Sequence, residues 1–145
     1  ASVIRPYFER LRPSNPNNPI SEFIYIVNGY RGGKYGFPSC HAANSFALAM
    51  ITSLIFHSRK YTIFIFIWAF INSYTRLYLG VHYPSDLLVG ATLGTLCSVA
   101  VFFVYRIICQ RIFCEKPERV CMQSVSVPLI IILLSLTVMT AVSLW

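Results

Sequence analysis

Acidic residues are scarce in this sequence. Glu9, Glu22, Asp86, Glu115 and Glu118 are the whole supply, against 12 lysines and arginines and a net charge of +7. These carboxylates are too few and too scattered for the oxygen-rich ligand sets that divalent cations need, so neither a metal nor another cofactor is expected. The five cysteines, Cys40, Cys97, Cys109, Cys114 and Cys121, are odd in number and follow no zinc spacing. Cys97 and Cys109 fall in or at the end of an apolar run and read as buried thiols. Cys114 and Cys121 fall in a basic loop expected to be cytoplasmic, where thiols stay reduced. Charge of either sign is also short. Charged residues make up 12% of the chain and hydrophobic residues 56%, with a mean hydropathy of +0.61. A soluble domain carries about a quarter charged residues. The deficit excludes an ordinary water-soluble domain and points to lipid as the solvent.

The cations that are present sit in clusters between apolar runs. Arg5, Arg10, Arg12, Arg31 and Lys34 form one block, followed by Arg59 and Lys60, then Arg76, then Arg106, Arg111, Lys116 and Arg119. No continuous basic face results, so a nucleic-acid partner is not expected. Anionic headgroups or a phosphorylated ligand explain the layout better. Four apolar runs follow one another: Ala42 to Phe56, Tyr61 to about Gly80, Leu87 to Ile108, and Val127 to Trp145. A spanning helix needs ~20 mostly apolar residues and must satisfy its own backbone. The runs therefore predict an all-α membrane bundle with four transmembrane helices. The basic connections His57–Lys60 and Arg106–Arg119 belong in the cytoplasm by the positive-inside tendency. Ahead of the bundle, Ser14 to Pro19 is a loop by composition. Ile20, Phe23, Ile24 and Val27 then recur at helical spacing, with Ser21 as a cap and Asn28-Gly29 as a stop. This segment reads either as a short helix packed on the bundle or as an interfacial helix guiding substrate. The chain opens with Ala1 in a polar, basic stretch without a signal peptide, so an amino-terminal part is expected to be missing.

The predicted topology brings the start of the first helix, the end of the second and the start of the third to one membrane face. Those places hold Ser39 and His41, then Arg76, then His82 and Asp86. Arg5, Arg10 and Arg12 precede the first helix on the same side. Each residue has a plain reading as well as a chemical one. Arg76 near a helix end can snorkel to headgroups or, being costly at a membrane boundary, hold an anion. Its planar fork suits phosphate oxygens. His82 and Asp86 are four apart at a helix start opened by Pro84. That spacing lets the carboxylate hold one ring nitrogen and leave the other free as a nucleophile. Ser39 is either an N-cap or a hydroxyl donor beside free helix N–H groups that favour an anion. His41 reads as an interface histidine or an acid–base group. Gly32-Gly33-Lys34-Tyr35-Gly36 is a plain turn or a basic lining of the anion site.

Taken together these elements resemble the type 2 phosphatidic acid phosphatases, membrane relatives of the vanadium haloperoxidases. That family carries Lys, six residues, then Arg-Pro; here Arg5 is followed by Arg12-Pro13, with arginine for lysine. Its Pro-Ser-Gly-His reads Pro38-Ser39-Cys40-His41, with cysteine for glycine. Its Ser-Arg, five residues, His, three residues, Asp reads Thr75-Arg76, His82 and Asp86, with threonine for serine. The likeness covers roughly Arg5 to Ile108, so residues 1–108 form the phosphatase core, 109–126 a basic cytoplasmic loop and 127–145 an additional helix. Val27 to Phe37 is similar to a bacterial branch labelled undecaprenyl-diphosphate or lipid A phosphatase.

The resemblance implies a multi-pass protein of the bacterial inner membrane whose site faces the periplasm. It implies a metal-free hydrolysis of a phosphorylated lipid through phosphohistidine. In that scheme His82 attacks phosphorus, Asp86 orients it, and His41 serves the leaving group and then water. Arg5, Arg12, Arg76 and Ser39 hold the phosphate oxygens, with Thr75, Arg31 and Lys34 as accessories. The alternatives are an inactive relative that binds or transports lipid, and a vanadate-dependent haloperoxidase, which the apolar runs disfavour.

Overall fold

The computed structural model describes residues 4–112, and the elements in it are helical. A five-residue helix α1 (Ile4–Phe8) is followed by a long irregular stretch. Three helices then form the bundle: α2 (Cys40–Phe56), α3 (Arg59–Tyr78) and α4 (Pro84–Ile112). The apolar runs therefore mark the helices closely, except that α4 continues past Ile108 to Ile112. The expected helix Val127 to Trp145, and Cys114 and Cys121 in the basic loop, lie outside the described residues, and Cys97, expected to be buried, is exposed on the outward side of α4. Among the described residues, only Pro84–Ile107 is long and apolar enough to cross a membrane. Helix α2 is apolar but has 17 residues. Helix α3 has 20 but includes Arg59, Lys60 and Arg76.

The segment from Ile20 to Val27 does not form one helix. Two 3-10 turns, Pro19–Phe23 and Val27–Gly29, stand either side of extended backbone at Ile24 and Ile26. The cap is Asn18, whose Oδ1 accepts from the Ile20 N–H at 3.2 Å, rather than Ser21. Ile24, Ile26 and Val27 are β-branched and Tyr25 is aromatic, so the segment has little helix preference. Neither turn buries a residue, and Phe23 and Tyr25 are more than four-fifths exposed.

Helix α2 lies between α3 and α4 and contacts both. Against α3 the packing is aromatic and aliphatic. Ala49, Tyr61, Ile65 and Ala69 form the buried cluster, with Phe46, Phe56, Phe66 and Trp68 packed on it. Phe56 meets Tyr61 edge to face, centroids 4.8 Å apart, beside the hairpin. There His57 closes α2 in the left-handed region at φ 51° and donates its N–H to Ser53 O. The α2–α3 pair is also joined by a hydrogen bond from Asn72 Nδ2 to Ser45 Oγ.

Against α4 the packing depends on small residues. Gly90 and Gly94 are one turn apart on one face of α4, a spacing that lets two helix backbones approach closely. A Cβ on Gly94 would collide with the backbone of Ala43, and one on Gly90 with the carbonyl of Ser39. Ser98 Oγ, one turn further on, donates to Ala47 O at 2.8 Å. The outward faces are apolar, with Phe64, Ile67, Phe70, Leu88 and Leu96 all exposed. A soluble bundle would bury such surface.

Replacing Gly94 with leucine is expected to lower stability by about 3 kcal/mol, since the clash is with backbone that cannot move aside. Gly33→Ala, where a Cβ meets nothing within 4 Å, should be close to neutral. Thermal melts of the two variants in detergent compare them directly.

Candidate active site

The close approach of α2 and α4 sets their N-termini side by side. The Ser39 N–H donates to Asp86 O at 3.0 Å, tying the cap of α2 to the first turn of α4. Over this junction two loop segments run antiparallel, paired at Leu11 and Tyr35. The Arg12 N–H donates to Lys34 O at 3.3 Å and the Gly36 N–H to Arg10 O at 2.9 Å. Gly36 is pressed into the centre. A Cβ there would stand 3.3 Å from Asp86 Oδ2 and 3.6 Å from His82 Nδ1. The glycine-rich segment is thus the roof of the site rather than a plain turn. Asn18 fastens it, donating from Nδ2 to Arg12 O at 3.0 Å and to Tyr83 Oη at 2.9 Å.

Beneath the roof lie His82 and Asp86, both buried, with Asp86 fully enclosed. Asp86 Oδ2 accepts from the Tyr83 N–H at 2.9 Å. The same oxygen is 3.5 Å from His82 Nδ1, an electrostatic contact too long to be a good hydrogen bond. Nδ1 has no other partner. Such contacts commonly tighten when substrate binds. The second carboxylate oxygen is held by a residue that the motif spacing did not single out. Arg10 Nη1 donates to Asp86 Oδ1 at 2.9 Å and to Ser85 Oγ at 2.9 Å.

Of the cations named by the motifs, Arg5 and Arg12 lie within electrostatic range of His82 and Arg76 within range of His41. Arg12 is buried, and its Nε donates to Tyr35 O at 3.2 Å. Gly32 makes room for it, since a Cβ there would stand 2.6 Å from Arg12 Nη1. Arg5 is half-buried, and its Nε is enclosed without a hydrogen-bond partner. Burial first, and the like charge of Arg5 second, hold the Arg12 guanidinium below its ordinary value. Arg76 is half-buried at the end of α3, donating from Nε to Thr75 Oγ1 at 3.2 Å. His41, exposed on the first turn of α2, lies within electrostatic range of Arg76, His82, Arg12 and Arg5. Ser39 is fully buried, and its Oγ accepts from the Ala42 N–H at 3.5 Å, a weak cap. Cys40 begins the helix with no left-handed backbone, so the missing glycine is no obstacle there.

The accessory residues fare differently. Thr75 donates its hydroxyl to Asn72 O at 2.7 Å, so it braces Arg76 rather than offering a proton to a ligand. Arg31 donates from Nη1 to Ser14 O at 2.9 Å and accepts at its own carbonyl from Ser14 Oγ at 2.8 Å, which makes it a loop tie. Lys34 lies over the Tyr35 ring, 5.1 Å from its centroid, on the exposed rim. Among the described residues no group of three or more His, Cys, Asp or Glu could hold a metal ion.

Burial is the largest influence on the His82 imidazole and pushes its pKa down. Contact with Asp86 opposes this, while Arg12 and Arg5 reinforce it. The folded value lies below the ~6.5 of a free histidine, so the unfolded chain takes up its proton first as pH falls. The His82 contribution to stability is therefore complete above about pH 6.5 and declines below it. Thermal melts from about pH 7.5 down to 5 should show this decline, and His82→Gln should reduce it, leaving the part due to His41, whose pKa partial burial holds down to about 4. An unchanged slope in the variant would mean that His82 is not held neutral by burial.

A profile described as the PAP2 superfamily matches residues 1–108. A lipid A 4'-phosphatase of Bacteroides thetaiotaomicron is 53% identical over 116 residues, which cover 80% of this chain and 52% of that protein. A lipid A 4'-phosphatase of Porphyromonas gingivalis is 40% identical over 105 residues, covering 72% of this chain and 44% of that protein. The chain thus spans about half the length of these curated relatives. No solved structure matches it.

Proposed function

Because the chain belongs to the PAP2 superfamily, we propose that it carries the catalytic centre of a membrane phosphatase acting on lipid A or a closely similar phosphorylated lipid. The observation that carries this reading is an uncompensated positive pocket at a nucleophile. Arg5 and Arg12 act on His82 and Arg76 on His41, whereas the nearest carboxylate, Asp86, is already paired with Arg10. Among the described residues neither Arg12 nor Arg5 has a carboxylate in ion-pair contact, Asp86 attracts Arg12 only at longer range, and Arg5 Nε is buried without a hydrogen-bond partner. A phosphoryl group supplies the counter-charge, with three oxygens for three arginines. The names of the two relatives favour lipid A over an isoprenoid diphosphate or phosphatidate.

The proposed reaction gives each of these residues a role. With the proton on Nδ1 facing Asp86, the lone pair of His82 Nε2 is free to attack phosphorus. The phosphorus–oxygen bond to the lipid breaks as the phosphorus–nitrogen bond forms. The departing alkoxide takes a proton from His41. Arg5, Arg12, Arg76 and the Ser39 hydroxyl hold the three equatorial oxygens as charge spreads over them. Water, giving its proton to His41, then attacks the phosphohistidine and releases inorganic phosphate, restoring His82. No step uses a metal. The exposed apolar faces of α3 and α4 suit lipid contact. In this reading α2 and α3, which fall short of a spanning helix by length or by charge near their ends, cross the bacterial inner membrane as a hairpin beside α4, with the site on the periplasmic side and His57–Lys60 in the cytoplasm.

The test is phosphate release from lipid A by the full natural protein in detergent with EDTA, beside its His82→Ala variant. Wild type should be active with EDTA present, and the variant should lose activity by about 10³-fold or more. Equal release by both proteins would remove His82 from the chemistry. No release from lipid A, isoprenoid diphosphate or phosphatidate would favour a lipid-binding relative. Activity abolished by EDTA would rule out the metal-free scheme.

A further inference from the structure

Arg10 falls at a variable position inside the first motif, between Arg5 and Arg12. No phosphate role is assigned to it by the motif, yet it is the best-anchored cation near the site. Its guanidinium is clamped between two rings, 4.4 Å from the Tyr83 centroid and 5.8 Å from that of Phe37. Its Nη1 reaches both Ser85 Oγ and Asp86 Oδ1 at 2.9 Å. Its carbonyl accepts from the Gly36 N–H, in the strand of roof that presses on His82. Charge, stacking and backbone therefore fix Arg10 on Asp86, with its charge already paired.

We infer that Arg10 is a positioning residue for His82, acting through Asp86. The inference rests on the phosphatase reading above. A carboxylate can rotate about its Cβ–Cγ bond and exchange its two oxygens. Here each oxygen has its own fixed donor, Arg10 for Oδ1 and the Tyr83 N–H for Oδ2. The rotation is thereby stopped in the orientation that points Oδ2 at His82 Nδ1. Orientation of the imidazole tautomer by such a partner is what a histidine nucleophile depends on. Arg10 has a second effect. The groups whose charge acts on His82 are Asp86, Arg12, Arg5 and His41. Pairing with Arg10 turns Asp86 from a full counter-charge into an orienting dipole, so Asp86 directs the imidazole without drawing a second proton onto it. Loss of Arg10 leaves Asp86 alone with His82, which then holds its proton to higher pH.

The test uses the full protein with Arg10→Gln and Arg10→Lys, assayed on lipid A in detergent, with thermal melts to confirm folding. Arg10→Gln should lower kcat by about 10–100-fold with KM nearly unchanged. It should also move the acid limb of the pH profile upward. Arg10→Lys, which keeps a charge and a donor, should recover most of both. A rise in KM at unchanged kcat would overturn the inference, since Arg10 would then be contacting substrate. A loss of kcat with the acid limb unmoved would also overturn it, leaving Arg10 only a structural part. The second readout does not depend on activity: the pH titration of the His82 ring nitrogens by NMR with 15N-histidine. Its midpoint should rise in Arg10→Gln and return in Arg10→Lys, and an unmoved midpoint would overturn the inference. If wild type releases no phosphate, the phosphatase reading fails, and the titration still decides whether Arg10 sets the state of His82.

Discussion

The backbones of α2 and α4 come close enough to touch only because Gly90 and Gly94 present no side chain there. Everything that follows in the site depends on that approach. It puts the Ser39 N–H against Asp86 O, and so places the two histidines of different motifs at one end of the bundle. In apolar surroundings hydrophobic burial cannot choose between helix pairings, because lipid is as apolar as leucine. Close backbone packing, with Ser98 bonded to Ala47 O, can make that choice. The chemistry at the helix ends is thus positioned by residues that have no chemistry themselves.

Electrostatics complete the arrangement. The chain has one carboxylate in the site and several cations, and the carboxylate is committed on both oxygens. Among the described residues the remaining cations of the site have no ion-pair partner of their own. The loop roof holds them there against repulsion through backbone bonds, from Arg12 to Lys34 and from Gly36 to Arg10. Part of the folding free energy is stored as a preorganised positive field, the form of site that needs least rearrangement when charge develops on a ligand.

The helices were legible because the apolar runs are long and bounded by His57-Ser58 and by Gly80 to Pro84, so their limits differ from the runs by only a few residues. The convergence of Ser39, His82 and Asp86 was legible too, from hairpin topology and motif spacing. The segment Ile20 to Val27 was not. Four apolar residues at helical spacing suggested a helix, but Asn18-Pro19 starts a 3-10 turn and the β-branched Ile24 and Ile26 take extended backbone. The side of the membrane on which Arg10 lies was legible, but its contact was not. That contact is 76 positions away in sequence, and one of four arginines in a basic block carries no local mark of its partner. The Gly90/Gly94 pair could have been read, since two glycines four apart in an apolar helix are a packing signal.

The site is built entirely at one end of the bundle, from the starts of α2 and α4, the end of α3 and the loop before them. The opposite end is a tight turn at His57-Ser58 that shares no residue with it. Adding a helical turn to both α2 and α3 at that hairpin would lengthen the bundle by about 5 Å while leaving the chemical groups where they are. The thickness of the apolar belt and the reaction are therefore separable properties of the fold. A lineage could adjust one to a bilayer of different thickness without reopening the other to selection.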